Sequence, residues 1–171
     1  MAKRIAKFEK VSFEQFKKDW IDTFGLDEEA NIEEIYENIK LPRRATAGSA
    51  GYDFFAPVRL ILEPGETLKI PTGIRVEMDP EWVLKCYPRS GLGFKYRLQL
   101  NNTVGIIDSD YFYSDNEGHM FSKITNDTNE EKTIDIAQGE GFMQGIFVEY
   151  GITVDDDVTD VRNGGFGSTT K

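Results

Sequence analysis

The chain predicts an all-β fold, a jelly-roll-like β-barrel or sandwich carrying two short helices at its N-terminus. From Leu41 onward Gly and Pro recur every few residues, which cuts the chain into short pieces joined by turns. The pieces between them are rich in β-branched and apolar residues, and several alternate with period two. Only before Leu41 do apolar residues recur at helical spacing.

Taken in order, residues 12–25 read as an amphipathic helix. Ser12 caps it, Gln15 stands at the capping-box position, Phe13, Phe16, Trp20 and Phe24 share a face, and Gly25 ends it. That aromatic stripe reads as the side of a helix docked on a core. A second helix fits residues 28–38, with Ile32, Ile35 and Ile39 on one face and six acids between Asp27 and Glu37. The expected strands are residues 59–62, 67–70, 74–78, 82–84, 98–100, 121–124, 133–136 and 146–148. The turns Glu63-Pro64-Gly65-Glu66 and Pro71-Thr72-Gly73 separate neighbours. The reading is one domain over 1–171, divided into a helical extension (1–40), a barrel (41–160) and a mobile C-terminal arm (161–171).

A chain of 171 residues buries a core sufficient for independent folding. No apolar run approaches the length of about 18 residues that a membrane helix requires, and no signal-peptide pattern opens the chain, so a cytoplasmic protein is expected. Cys86 is the single cysteine and His119 the single histidine, which leaves no intramolecular disulfide and no evident zinc site or Ser/His relay. The net charge of −10 argues against a nucleic-acid surface, yet residues 40–97 carry 10 basic side chains against 6 acidic ones. That middle segment, helped by a divalent cation, is where an anion would bind.

Five stretches carry residues that folding alone does not call for. Gly105-Ile106-Ile107-Asp108-Ser109-Asp110-Tyr111 reads as the end of a buried strand that delivers Asp108 to a turn. A carboxylate there can orient and deprotonate water, with the flat face of Tyr111 beside it; a plain hairpin turn is the alternative. Ala47-Gly48-Ser49-Ala50-Gly51-Tyr52-Asp53 lets backbone pass close to a ligand and delivers Asp53. Tyr87-Pro88-Arg89-Ser90-Gly91-Leu92-Gly93 groups a guanidinium, a hydroxyl and unobstructed amides, a set suited to phosphate oxygens, although a turn is again the alternative. Gly139-Glu140-Gly141-Phe142-Met143-Gln144 feeds a strand whose Gln144 offers an amide donor. The C-terminal stretch from Arg162 to Thr170 holds one Arg, Phe166 for stacking, and the hydroxyls of Ser168, Thr169 and Thr170, as an arm folding over a phosphorylated ligand would.

In this order the five stretches resemble the motifs of the trimeric dUTPase family, over about residues 41–170. The resemblance implies a jelly-roll homotrimer with sites at subunit interfaces. It also implies Mg²⁺-dependent hydrolysis of dUTP to dUMP and pyrophosphate by water attack on the α-phosphorus, which removes dUTP and supplies dUMP for dTMP synthesis. Under it Asp108 is the water-activating base, Tyr111 packs on the deoxyribose and excludes a 2′-hydroxyl, and Asn102 hydrogen-bonds uracil with backbone of Gly105, Ile106 and Ile107. Met120 joins the substrate-binding set. Arg89, Ser90 and Gly91 contact phosphate, Asp53 orders metal-bound water, and Gln144 contacts phosphate or water. Phe166 caps the uracil, Gly167, Ser168 and Thr169 hold the γ-phosphate, and Arg162 is a further γ-phosphate ligand. No nucleic-acid or membrane partner is expected.

The chain departs from the family pattern at several points. Gly141 stands where Arg is usual, Arg162 lies one residue closer to Phe166 than the commonest spacing, and Phe112-Tyr113-Ser114 replaces the usual x-Gly-Glu after Tyr111. The extension before Leu41 matches nothing in the family pattern. The rival readings are a dCTP deaminase, which shares the fold, and a non-catalytic binding module that keeps it.

Overall fold

In the first ten residues Ala6, Phe8 and Lys10 alternate with Lys7 and Glu9, a period-two pattern that the sequence reading passed over. In the computed structural model, which describes residues 3–26, 31–162 and 164, they form strand β1 (Ala6–Lys10). The N-terminal extension is therefore not only helical. Helix α1 (Phe13–Phe24) follows, with the Ser12 hydroxyl accepting from the Gln15 N–H at 3.1 Å and Gly25 (φ 80°) ending it.

The expected capping box does not close. The Gln15 side chain turns along the helix to Asp19 (2.8 Å), while the Ser12 N–H and hydroxyl both donate to the carboxylate of Glu117, each at 2.7 Å. A carboxylate is the stronger acceptor at a helix N-terminus, and tertiary structure brings one there from 105 residues away. Helix α2 (Ile32–Glu37) is capped by Asn31, whose side chain accepts from the Glu34 N–H. The expected start at Glu28 lies outside the described residues.

Strands β2 (Arg43–Arg44), β3 (Tyr52–Phe55), β4 (Leu60–Leu62), β5 (Thr67–Pro71), β6 (Ile74–Met78) and β7 (Trp82–Pro88) follow. Helix α3 (Ser90–Tyr96) then interrupts the β pattern where a turn was the bland expectation. Beyond it lie β8 (Leu98–Leu100), β9 (Gly105–Ile107), a 3₁₀-helix (Ser109–Tyr113), β10 (Phe121–Asn126), β11 (Ile134–Ile136) and β12 (Gly141–Glu149).

Among the described residues the expected barrel does not close. The strands form four antiparallel sheets, ordered β1-β6, β5-β10-β8, β11-β4 and β2-β3-β12-β7-β9. The reason is strand length: β4, β8, β9 and β11 have only three residues each, so their ladders end before a continuous sheet can shear round on itself. The long strand β12 carries a bulge between Gly141 and Met143 and joins β3 to β7.

One core runs beneath all four sheets, through Phe54, Leu60, Leu62, Ile70, Leu84, Leu98, Ile124, Ile134 and Phe142. Val11, Phe16, Trp20 and Ile39 from the N-terminal extension belong to the same core. Among the described residues no helix is long and apolar enough to cross a membrane.

Candidate active site

Strand β9 pairs with β7 in the register Leu84↔Ile107, Lys85↔Ile106, Cys86↔Gly105. Pleating turns successive side chains to opposite faces, so the apolar pair read as buried is split: Ile107 is 6 % exposed and Ile106 51 %. That split corrects the reading of a strand buried on both faces. It also opens a cavity of about 400 Å³, lined by Asn102, Gly105, Ile106, Ile107 and Met120, with Cys86 and Met143 among its walls. Of the substrate-binding residues expected between 102 and 120, these five line it and Tyr111 does not. The cavity surface is mostly apolar, with Lys69, Asn101, Asn102, Ser122 and Lys123 as the polar groups at its walls, a composition usual for a small-molecule site. Burial pushes the Cys86 thiol up to about 12, so it serves as a wall and not as a nucleophile.

Asp108 stands one residue beyond Ile107, in extended conformation at the N-cap of the 3₁₀-helix. Its carboxylate makes no capping bond and is about half exposed. Arg162 lies between two acids here: its Nη2 donates to Asp108 Oδ2 at 2.6 Å and its Nε to Asp110 Oδ1 at 2.8 Å, with its Cζ 5.9 Å from the Tyr111 ring centre. The structure thus brings Arg162 to the carboxylates, not to Arg89. Tyr111 is buried, and its hydroxyl donates to the His119 carbonyl at 2.6 Å and accepts from Asn116 Nδ2 at 2.9 Å. Burial raises its phenol above the ordinary range, and the neutral O–H remains a donor.

A second cluster forms where β3, β12 and β7 meet. Gln144 is opposite Asp53 on one side and Tyr87 on the other, and its Nε2 donates to the Pro88 carbonyl at 3.2 Å. Arg89 follows directly, its Nε 3.2 Å from Asp53 Oδ1 and its Nη1 donating to the Gly141 carbonyl. The missing Arg at position 141 has a local consequence. A Cβ there would lie 2.8 Å from Arg89 Nη1 and 3.1 Å from its Cδ, so glycine is what lets Arg89 lie across β12. Ser90 and Gly91 open α3, where first-turn N–H groups have no intrahelical acceptor. Phe166, Gly167, Ser168 and Thr169 lie outside the described residues.

The two clusters occupy opposite ends of β7. Asp108 falls opposite Val83 by continuation of the β9 register, and Arg89 lies six residues further along, which is roughly 20 Å at strand rise. Within one chain the backbone at Asp108 is thus well separated from that at Arg89, and less so from Gln144, which lies opposite Tyr87. Sequence reasoning named both clusters without their separation, because register is a property of pairing and not of spacing. It also missed Asp110, Asn116 and His119. The Asp-x-Asp spacing was the only available sign of the first, and the other two lie in a loop with no pattern of its own.

Among known proteins, the family model for dUTPase matches residues 37–170. The deoxyuridine 5′-triphosphate nucleotidohydrolase of Lactococcus lactis subsp. lactis is 43 % identical over 139 residues, 78 % of this chain and 91 % of that protein. Its counterpart in Escherichia coli K12 is 40 % identical over 141 residues, 78 % of this chain and 89 % of that protein. Of solved structures, the dUTPase of Streptococcus mutans superposes with a TM-score of 0.62 at 33 % identity, covering 85 % of this chain and 97 % of that one. A dUTPase mutant of Staphylococcus bacteriophage 80alpha, solved with dUpNHpp, gives 0.58 at 25 % identity, covering 78 % and 93 %. With the family model matched over residues 37–170 and these relatives covered along most of their length, the chain belongs to the dUTPase family.

Proposed function

We propose that the chain hydrolyses dUTP to dUMP and pyrophosphate in the cytoplasm, at sites assembled between the subunits of a homotrimer. The observation that carries this reading is the position of Asp108: its carboxylate follows immediately on the strand that walls the cavity and is not engaged in capping. Uracil enters the cavity, where Asn102 and the backbone of Gly105 to Ile107 meet its edge. A cytosine would present a donor where uracil presents an acceptor and would leave a buried group unpaired. Asp108 takes a proton from water as the water oxygen bonds to the α-phosphorus; the bond from that phosphorus to the bridging oxygen breaks, and pyrophosphate leaves. Arg89, Ser90 and Gly91 neutralise and orient the phosphates, and Gln144 holds the adjoining oxygen or water. Phe166 stacks on the base, and Gly167, Ser168 and Thr169 contact the γ-phosphate.

A triphosphate brings about four negative charges to a site already holding acids, which calls for a divalent cation. Among the described residues no three His, Cys, Asp or Glu side chains converge as a metal cage. This donor set would fit Mg²⁺ carried mainly by phosphate oxygens and water, and Asp53 would hold water of its shell. Bound that way, the ion supplies charge neutralisation of the triphosphate.

The separation of the two clusters supports sites shared between subunits, Asp108 of one subunit working with Arg89 and Gln144 of another. The segment 150–161 supports it too: every residue in it is exposed, including Ile152, Val154, Val158 and Val161, as expected of a strap meant to lie on a neighbour. Sedimentation should give a trimer. Mixing the inactive variants Asp108→Asn and Arg89→Ala with subunit exchange should restore dUTP turnover, because some interfaces then carry both native side chains. No recovery in mixed trimers would place each site within one subunit.

The direct test is incubation with dUTP or dCTP and Mg²⁺, reading pyrophosphate and ammonia. Pyrophosphate from dUTP alone is expected; ammonia from dCTP would make the chain a deaminase, and neither product a binding module. The placement of Arg162 on Asp108 and Asp110 predicts that Arg162→Ala weakens dUTP and dUMP alike, by several-fold, and lowers kcat. A loss confined to dUTP in calorimetric titrations would put the guanidinium on the γ-phosphate.

A further inference from the structure

We infer that the N-terminal extension is a clamp that sets Tyr111, with Asp19 and His119 as positioning residues for sugar selection; the inference rests on the role of Tyr111 proposed above. The family match begins at residue 37, so β1 and α1 lie outside it, yet the extension is not peripheral. It reaches the loop 114–120, which follows directly on the Phe112-Tyr113-Ser114 stretch in which this chain departs from the family pattern.

The contact is made at two points. Glu117, held at φ 58°, accepts from both the N–H and the hydroxyl of Ser12. His119 is fully buried and joined to α1 through Asp19, with 2.5 Å between Nδ1 and Oδ2. The Gly73 N–H donates to His119 Nε2 at 2.8 Å, which makes Nε2 the acceptor and Nδ1 the N–H that donates to Asp19. Asp19 is itself mostly buried. Desolvation works against its charge, but the hydrogen bonds from His119 and Gln15 outweigh that and hold its carboxyl below the ordinary range. The imidazole is thus fixed at both nitrogens, with the tilted rings of Phe121 and Phe16 beside it at centroid distances of 4.6 and 6.1 Å.

The consequence for Tyr111 follows along the chain. The carbonyl of His119 accepts the Tyr111 hydroxyl, and Asn116, whose Nδ2 reaches that same hydroxyl, is fastened by Ser114. Met120, the next residue, lines the cavity. β1 adds a third tie: Glu9 pairs with Arg75 on β6, and the Arg75 guanidinium lies 4.2 Å from the centre of the Phe112 ring, next to Tyr111. A ring that must exclude a single hydroxyl on the sugar needs its position fixed to a fraction of an ångström, and a loop carrying two consecutive left-handed residues does not achieve that unaided.

The test uses the full-length protein and two readouts. Asp19→Ala is compared with wild type, with the conservative Asp19→Asn, and with Ser12→Ala, which leaves the buried pair intact. Amide exchange of peptides covering 109–120 should rise at least tenfold in Asp19→Ala and much less in Asp19→Asn. The ratio of dUTP to UTP kcat/KM should fall about tenfold in Asp19→Ala with kcat on dUTP within threefold of wild type, and Asp19→Asn should recover most of the ratio. Unchanged exchange in a folded Asp19→Ala overturns the clamp. Raised exchange with an unchanged ratio overturns its role in sugar selection. Tyr111→Ala is the control: if it leaves the ratio intact, the sugar-gate reading fails, while the exchange data still decide the clamp.

Discussion

Asp108→Asn is expected to lower kcat on dUTP by about 10²- to 10⁴-fold while leaving fold and nucleotide affinity near wild type. The amide has the shape of the carboxylate but cannot accept a proton from water, so only the step that needs a base is lost. Two features of the site make the substitution clean. Asp108 stands at the N-cap of the 3₁₀-helix, but its side chain makes no capping hydrogen bond that the amide would lose. Its carboxylate is half exposed, and the mostly buried Arg162 keeps Asp110 as a partner, so no buried charge is left unpaired by the change. Single-turnover kinetics and calorimetric titration with a non-hydrolysable dUTP analogue separate the two quantities. A variant that keeps more than about a tenth of the wild-type rate would remove Asp108 from the role of base, and Asp110, two residues on and held by the same guanidinium, would be the next carboxylate to test.

Gly118→Ala is expected to be among the most destabilising single-methyl additions in the molecule. Gly118 has φ 73°, and a Cβ there would stand 2.7 Å from the Phe112 Cα and 2.9 Å from the Tyr111 carbonyl oxygen. Both are backbone atoms that no rotamer change can move. The left-handed conformation alone costs an alanine about 1–2 kcal/mol, and the overlap must be relieved by shifting the chain that carries Tyr111. A total near 3 kcal/mol corresponds to a fall in Tm of roughly 6–12 °C for a chain of this size, measured at fixed protein concentration. Gly65→Ala is the internal comparison, because Gly65 has φ 84° but open space around its missing side chain. It should lose only the conformational part. Equal losses at the two sites would mean that contact with the 111–112 backbone is not what demands glycine at 118.

Much of the fold was legible: β5, β6, β7, β8, β10 and β12 each coincide with or contain an expected strand, and β4 and β11 fall one residue short of theirs. Local pattern reports local structure wherever a strand has one wet face and one dry face. The same logic explains the omissions. β1 is short and lysine-rich, and only pairing with β6 makes it a strand. α3 contains two glycines and no buried residue, so neither propensity nor amphipathicity announces it.

The motifs determined the family, the candidate base and the candidate phosphate ligands, since a carboxylate after a strand or an Arg-Ser-Gly run keeps its chemistry whatever surrounds it. Tertiary structure alone decided three other things. It placed Asp108 and Arg89 at opposite ends of β7, because register is set by hydrogen bonding between strands and not by distance along the chain. It set Arg162 between Asp108 and Asp110, because the partner of a charge is whichever opposite charge the fold brings within reach. And it joined Asp19 to His119 across 100 residues, because two polar groups that no local pattern pairs can be buried only where each satisfies the other.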